Sequence, residues 1–159
     1  MAVSVRRLTR ADVPWAIALT DTEEWGYTAQ DFERLLHLEP EGVFLAEADG
    51  QRVGITATVT YGPLAYVGTV IVDPRWRGKR VGEAVIRACL DFCDGRGTES
   101  VRLNAYLNVI PFYEKLGFRR EFESRRFAGH HEGRVVPGVR LARADDLAAM
   151  AELDARYFG

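Results

Sequence analysis

The chain has 159 residues, is 47% hydrophobic and carries a formal net charge of −2. That length suits one domain with a sizeable core, since single domains commonly run roughly 100–200 residues, and the charge lacks the basic excess of a general nucleic-acid binder. No run of about 18 apolar residues is present for a membrane span, and the start "MAVSVRRLTRADV" has no apolar core behind its basic residues, so it is not read as a signal peptide and a cytoplasmic protein is expected.

"VSVRRL" (3–8) alternates and predicts a strand. Thr9 follows as an N-cap with Asp12 in the box position, opening a helix through about Asp21. "TEEWGYT" (22–28) is a break. "AQDFERLLHL" (29–38) predicts a second helix, with Phe32, Leu35 and Leu36 at helical spacing. Residues 42–62 read as a hairpin turning at Asp49-Gly50. "LAYVGTVIVDP" (64–74) predicts a further strand, central because it is almost wholly apolar, in which Gly68 marks either a bulge or a close backbone approach.

The spacing of Val81, Ala84, Val85, Ala88, Cys89 and Phe92 predicts a helix over 77–93, ended by the glycines of "DGRG". "SVRLNAY" (100–106) is a strand, "VIPFYEKLGF" (109–118) a short helix, and "RREFESRRF" (119–127) an alternating strand. A loop, "GHHEG", and a last strand over 134–141 complete the order. Strands are contiguous early and alternate with helices later, so the fold class is α/β with a mixed sheet and helices on both faces. Cys89 and Cys93 share a helical face and read as core packing rather than metal ligands. His130 and His131 read as part of a solvated turn, and no metal is expected.

Residues 6–26 align without gaps to 139–159, with Arg7/Arg140, Leu8/Leu141, Asp12/Asp145 and Gly26/Gly159 among the identities, at a period of 133. Such periods bear on the fold. Two readings follow. Either the domain occupies 1–141 and the tail 142–159, resembling 9–26, starts a second similar domain, or the tail is an amphipathic helix of a single domain. Leu147, Met150, Ala151, Leu153 and Phe158 need apolar cover in both cases, on their own domain or in a homodimer.

The stretch "DPRWRGKRVG" (73–82) leaves an apolar strand and places Arg77, Gly78, Lys79, Arg80, Val81 and Gly82 at a helix mouth. The first N–H groups of a helix lack intrahelical acceptors and sit at the positive end of the peptide dipoles, which suits a phosphate. A solvated basic turn is the alternative. G-x-x-x-x-G-K-[ST] and G-x-G-x-x-G are both missing, so neither a nucleoside triphosphate nor a nicotinamide cofactor is favoured.

With these residues in view, the chain resembles the GNAT superfamily of acyl-CoA-dependent N-acetyltransferases. "VGTVIVDPRWRGKRVGEAVI" (67–86) is similar to that family's strand–turn–helix with [Q/R]-x-x-G-x-[G/A], and "PFYEKLGF" (111–118) to its Tyr–Glu–Lys–x–Gly–Phe region. Aligned on Arg77, the first glycine is replaced by Arg80 and Gly82 matches the second. The family asparagine seven residues before the tyrosine is replaced by Tyr106, leaving Asn108 as a substitute. The resemblance implies the GNAT fold and transfer of acetyl from acetyl-CoA to an amine. It implies coenzyme contacts at Val70, Ile71, Val72, at residues 77–82, and at Asn108 and Phe112, with Tyr113 as general acid against a plain core-aromatic role. Trp25 and Tyr27 line the acceptor or simply pack. Glu47, Glu23, Glu24 and Asp21 are carboxylate candidates, none of which is named as the base. The rival class is a non-catalytic acyl-CoA-binding or interaction module, one half of a GNAT-like pair.

Overall fold

The computed structural model describes residues 2–125, 127–130 and 132–158. Arg126, His131 and Gly159, all touched by the sequence reading, lie outside the described residues. The chain divides into two compact units, Met1–Arg119 and Arg120–Gly159.

The first unit is built on five strands in the order of the chain: β1 (Val3–Arg7), β2 (Val43–Ala48), β3 (Gln51–Tyr61), β4 (Leu64–Val72) and β5 (Ser100–Leu103). The first three pairings are antiparallel and β4–β5 is parallel, so the sheet is mixed. Asp49 and Gly50 both take left-handed φ, +48° and +73°, the turn that suits the strand twist of a two-residue hairpin.

Period-2 alternation on β2 explains why both faces are covered. Val43 and Leu45 point into one cluster with Val13, Ala16 and Leu19 of α1 (Val13–Asp21) and Phe32 of α2 (Ala29–Leu38). Phe44 packs on the opposite face with Ile86, Cys89, Phe92 and Cys93 of α3 (Val81–Gly95). Ala46 meets Val81 and Val85 of the same helix. The two cysteines are buried and unpaired, as a core role requires. Two capping boxes start the α1–α2 side. The backbone N–H and hydroxyl of Thr9 both donate to Asp12, and those of Thr28 to Asp31. Asp12 is 1% exposed and is held by Arg6 (2.7 Å) and Arg52 (2.9 Å).

Four expectations are corrected. The helix predicted over 77–93 starts at Val81, because Gly78 and Arg80 take left-handed φ of +74° and +64° that no α-helix accommodates. The strand predicted over 100–106 ends at Leu103. The short helix over 109–118 is α4 (Ile110–Glu114), preceded by a 3-10 turn, Leu107–Val109. The strands predicted over 119–127 and 134–141 do not form among the described residues. Phe122, Val135 and Leu141 stand 73%, 95% and 91% exposed, and an alternating segment without a neighbour has neither ladder nor cover. In the second unit a 3-10 turn, Ala144–Asp146, leads into α5 (Leu147–Phe158).

Candidate active site

The site begins where β5 leaves the sheet. Parallel pairing with β4 stops at Val67–Leu103, whereas β4 stays paired to β3 up to Gly54–Val72. Between Ile55–Ile71 and Ala57–Gly68 the register shifts, so β4 carries a bulge. The residue in left-handed conformation there is Thr69, φ +51°, not Gly68. A β-branched side chain in that region stores about 1–3 kcal/mol of strain. The extra residue also changes the phase of the strand. Ala65 and Val67 face the α3 side before it, and Val70 and Val72 face that side after it.

Backbone direction follows from one hydrogen bond. The Asp73 N–H donates to the Val53 carbonyl at 2.9 Å. Alternation then turns Ile71 towards β3 and Val70 and Val72 towards the edge that β5 has abandoned. The Val72 carbonyl does lie there, since it accepts from Arg77 Nε at 3.1 Å. The Ile71 side chain is buried in the α1–α2 cluster and its backbone is turned to β3, so of these three residues only Val70 and Val72 turn backbone groups to the edge that β5 leaves.

After β4 the chain makes a 3-10 turn, Pro74–Trp76, capped by Asp73, whose carboxylate accepts from the Arg75 N–H at 2.9 Å. The Arg75 guanidinium bonded to that carboxylate holds Asp73 below the usual carboxylate range. Then come residues 77–80 and the start of α3. Among the described residues, the N–H groups of residues 78–83 have no backbone acceptor, and the first helical bond is Ala84 N–H to the Arg80 carbonyl at 3.1 Å. Two left-handed residues ahead of a helix curl such amides into a concavity suited to an anion. Gly78 faces open space, while the Val81 side chain is core, so only its amide is available.

The basic side chains are engaged otherwise than expected. Arg77 reaches Glu23 in the α1–α2 break as well as Val72. Arg80 folds onto Glu83 at 3.0 Å. The Lys79 Nζ stands 4.6 Å from the centre of the Trp76 ring and has no carboxylate partner among the described residues.

Gly82 marks the meeting of three elements. A Cβ there would come 3.2 Å from Phe112 of α4 and 3.7 Å from Val72 of β4. A larger side chain at this point would make the Phe112 ring give way. Tyr113 follows, 8% exposed, with Phe112 at 4.9 Å and Phe118 at 5.8 Å edge-on. Burial pushes its phenol up to about 12, so it holds its proton at any physiological pH. Asn108 stands exposed on its 3-10 turn, with no hydrogen bond to Tyr113 or β4 among the described residues.

From the other face, Tyr27 reaches the bulge: its hydroxyl and that of Thr69 lie 2.9 Å apart. Trp25 and Phe32 pack beside Tyr27, at 6.3 and 5.6 Å. Of the candidate carboxylates, Glu47 is taken by Arg6 (2.8 Å) and Glu23 by Arg77, while Glu24 and Asp21 are exposed. Thr69, which meets Tyr27 at the bulge, is the residue here that the sequence reading did not single out. A threonine in left-handed conformation leaves no trace in the sequence; only Gly68 beside it gave a signal. A cleft of about 310 Å³ beside the turn after β4 is lined by Trp15, Ala18, Thr22, Asp73, Pro74 and Arg75, none of them a predicted site residue.

Residues 9–118 match the model of the acetyltransferase (GNAT) family. The chain is 30% identical over 148 residues to a holothin acyltransferase of Pseudoalteromonas sp. (strain SANK 73390), covering 91% of this chain and 48% of that protein. It spans less than half the length of the first curated relatives it matches. Among solved structures, Ard1 from Thermoplasma volcanium superposes with a TM-score of 0.69 at 27% identity, over 75% of this chain and 84% of that one. A Mycobacterium tuberculosis protein solved in complex with CoA shares the fold, with a TM-score of 0.66 at 24% identity over 79% and 76%.

Proposed function

This chain belongs to the acetyltransferase (GNAT) family, and from that premise we propose that it moves an acetyl group from acetyl-CoA directly to an amine. The observation that carries the reading is the junction, among the described residues, of two backbone surfaces that no strand or helix completes: the edge of β4 at Val70 and Val72 beyond the last β5 pair, and the amides of residues 78–83. An extended amide-bearing arm ending in a diphosphate matches both at once, and acetyl-CoA has that form. Similarity to a protein solved with CoA bound supports the same ligand.

The amides of residues 78–83 and the Lys79 ammonium hold the diphosphate, and Arg77 and Arg80 swing from Glu23 and Glu83 to share it. The Val70 and Val72 backbone groups align the arm, and one of their N–H groups polarises the thioester carbonyl as negative charge develops on it. The acceptor amine approaches from the Tyr27–Trp25 side. Its nitrogen bonds to the carbonyl carbon, the C–S bond breaks, and the nitrogen proton passes to solvent. Tyr113 donates its proton towards the departing sulfur. Free acetyl-CoA is a cytoplasmic metabolite, which supports that location, and the net charge of −2 supports a small partner over nucleic acid.

Calorimetry with acetyl-CoA, hydrogen exchange on residues 78–83, and CoA release against amines test this together; the amine panel includes holothin, glucosamine 6-phosphate and peptide N-termini. Expected are binding, slowed exchange at those amides and turnover with at least one amine. Binding without turnover turns the reading into the non-catalytic module. Absence of binding removes both.

A further inference from the structure

Residues 140–146 of the second unit repeat five hydrogen bonds of residues 6–12, while the Thr9 hydroxyl bond to Asp12 has no counterpart at Arg143. Arg6 donates to Asp12 through both terminal nitrogens (2.7 and 3.0 Å) and to the Arg7 carbonyl (3.0 Å). Arg140 donates to Asp146 through both (2.7 and 2.7 Å) and to the Leu141 carbonyl (3.0 Å). The Thr9 N–H donates to Asp12 at 2.9 Å and the Arg143 N–H to Asp146 at 2.7 Å. The Asp12 N–H returns to the Thr9 carbonyl at 2.9 Å, and that of Asp146 to the Arg143 carbonyl at 3.0 Å. The 3-10 turns, Arg10–Asp12 and Ala144–Asp146, and the helices starting at Val13 and Leu147 follow in step. Every pair lies 134 residues apart, one more than the sequence alignment suggests. Alanines and arginines match easily in a shifted register, whereas a bidentate Arg–Asp bond does not.

The offset carries over to the apolar stripe. Val13, Ala16 and Leu19 are 6%, 0% and 5% exposed; their counterparts Leu147, Met150 and Leu153 are 62%, 49% and 58% exposed. In the first unit the stripe is covered by Val43, Leu45, Ile55 and Ala57 of the sheet and by Phe32 of α2.

We infer that residues 139–158 are the opening module of a second domain of the same fold, and that the Leu147, Met150 and Leu153 stripe is the docking face for that domain's sheet. Two independent observations point to that occupant. The relatives leave more than half of their own length outside the match, room for another such domain. The residues equivalent to β1 form no strand, as expected of a first strand whose antiparallel partner would be supplied by that second domain's sheet. The inference does not depend on acetyl transfer.

Hydrogen exchange on α5 tests it in two chains. In the 159-residue chain, α5 amides are expected to exchange unprotected at every concentration. There Leu153→Asp leaves the melting temperature unchanged, while Leu19→Asp removes the cooperative transition. In a chain whose residue 156 is followed by a second copy of residues 23–119, α5 protection is expected to rise by about 100-fold or more, and Leu153→Asp to abolish it. A Met150→Ala version relieves crowding where the counterpart is the fully buried Ala16. Protection in the 159-residue monomer would mean that its own domain covers the stripe. Protection appearing only with a doubling of mass would mean that a second copy does. Either result, or no gain in both extended chains, overturns the inference.

Discussion

Replacing Tyr113 by phenylalanine is expected to separate catalysis from stability. The ring keeps its edge contacts with Phe112 and Phe118, and the phenolic oxygen has no hydrogen-bond partner among the described residues. Losing it therefore costs less than about 1 kcal/mol at neutral pH. A general acid contributes about 10²–10⁴-fold, so kcat is expected to fall by at least about 100-fold with little change in the KM for acetyl-CoA. A second signature comes from burial. Burial pushes the folded phenol up to about 12 against about 10 unfolded, a difference that corresponds to about 3 kcal/mol. The raised value favours the protonated native state, so this contribution is complete below pH 10 and is lost as pH climbs through 12. The wild type should thus lose up to about 3 kcal/mol more than the Tyr113→Phe variant between pH 9 and 12. Urea titrations across that range, with CoA-release kinetics at pH 7.5, read both effects. Unchanged kcat would refute the acid role, and a variant much less stable at neutral pH would reveal a hydrogen bond to the hydroxyl.

Gly82→Val would push Phe112 off the start of α3 and weaken acetyl-CoA binding by about tenfold or more with a modest loss of stability, by calorimetry and thermal melting. Arg77→Ala removes an exposed pair with Glu23, contributing at most about 1 kcal/mol to stability; acetyl-CoA affinity should nonetheless fall several-fold and become less salt-dependent. Glu23→Gln should instead tighten binding by freeing Arg77, and equal losses in both variants would argue against phosphate contact. Asp12→Asn leaves Arg6 and Arg52 facing a neutral side chain and should cost about 3 kcal/mol in urea denaturation. The bonds from Arg6 and Thr9 hold the Asp12 carboxyl well below the ordinary carboxylate range. Its contribution is therefore present above about pH 4 and fades as pH falls further, a loss that the variant should not show.

Elements set by local chemistry were legible in the residues. The Thr9–Asp12 box, helix 29–38, the Asp49-Gly50 hairpin and the inward-facing Cys89 and Cys93 all depend on spacings of two to four residues, and the structure has them where the pattern places them. The motifs at 77–82 and 111–118 likewise pointed to the stretch whose amides lack backbone acceptors and to the buried Tyr113. The features that turn these parts into a site depend on distant neighbours. Departure of β5 after Leu103 frees the β4 edge; the bulge, with Thr69 against Tyr27, re-aims Val70 and Val72; left-handed Arg80 delays α3 until Val81. Arg77 selects Glu23 across 54 positions of sequence, and nothing in the local pattern of either predicts it. Residues 119–127 and 134–141 alternate as strands do but remain unpaired, because alternation prepares one face for burial and only a partner strand can complete it.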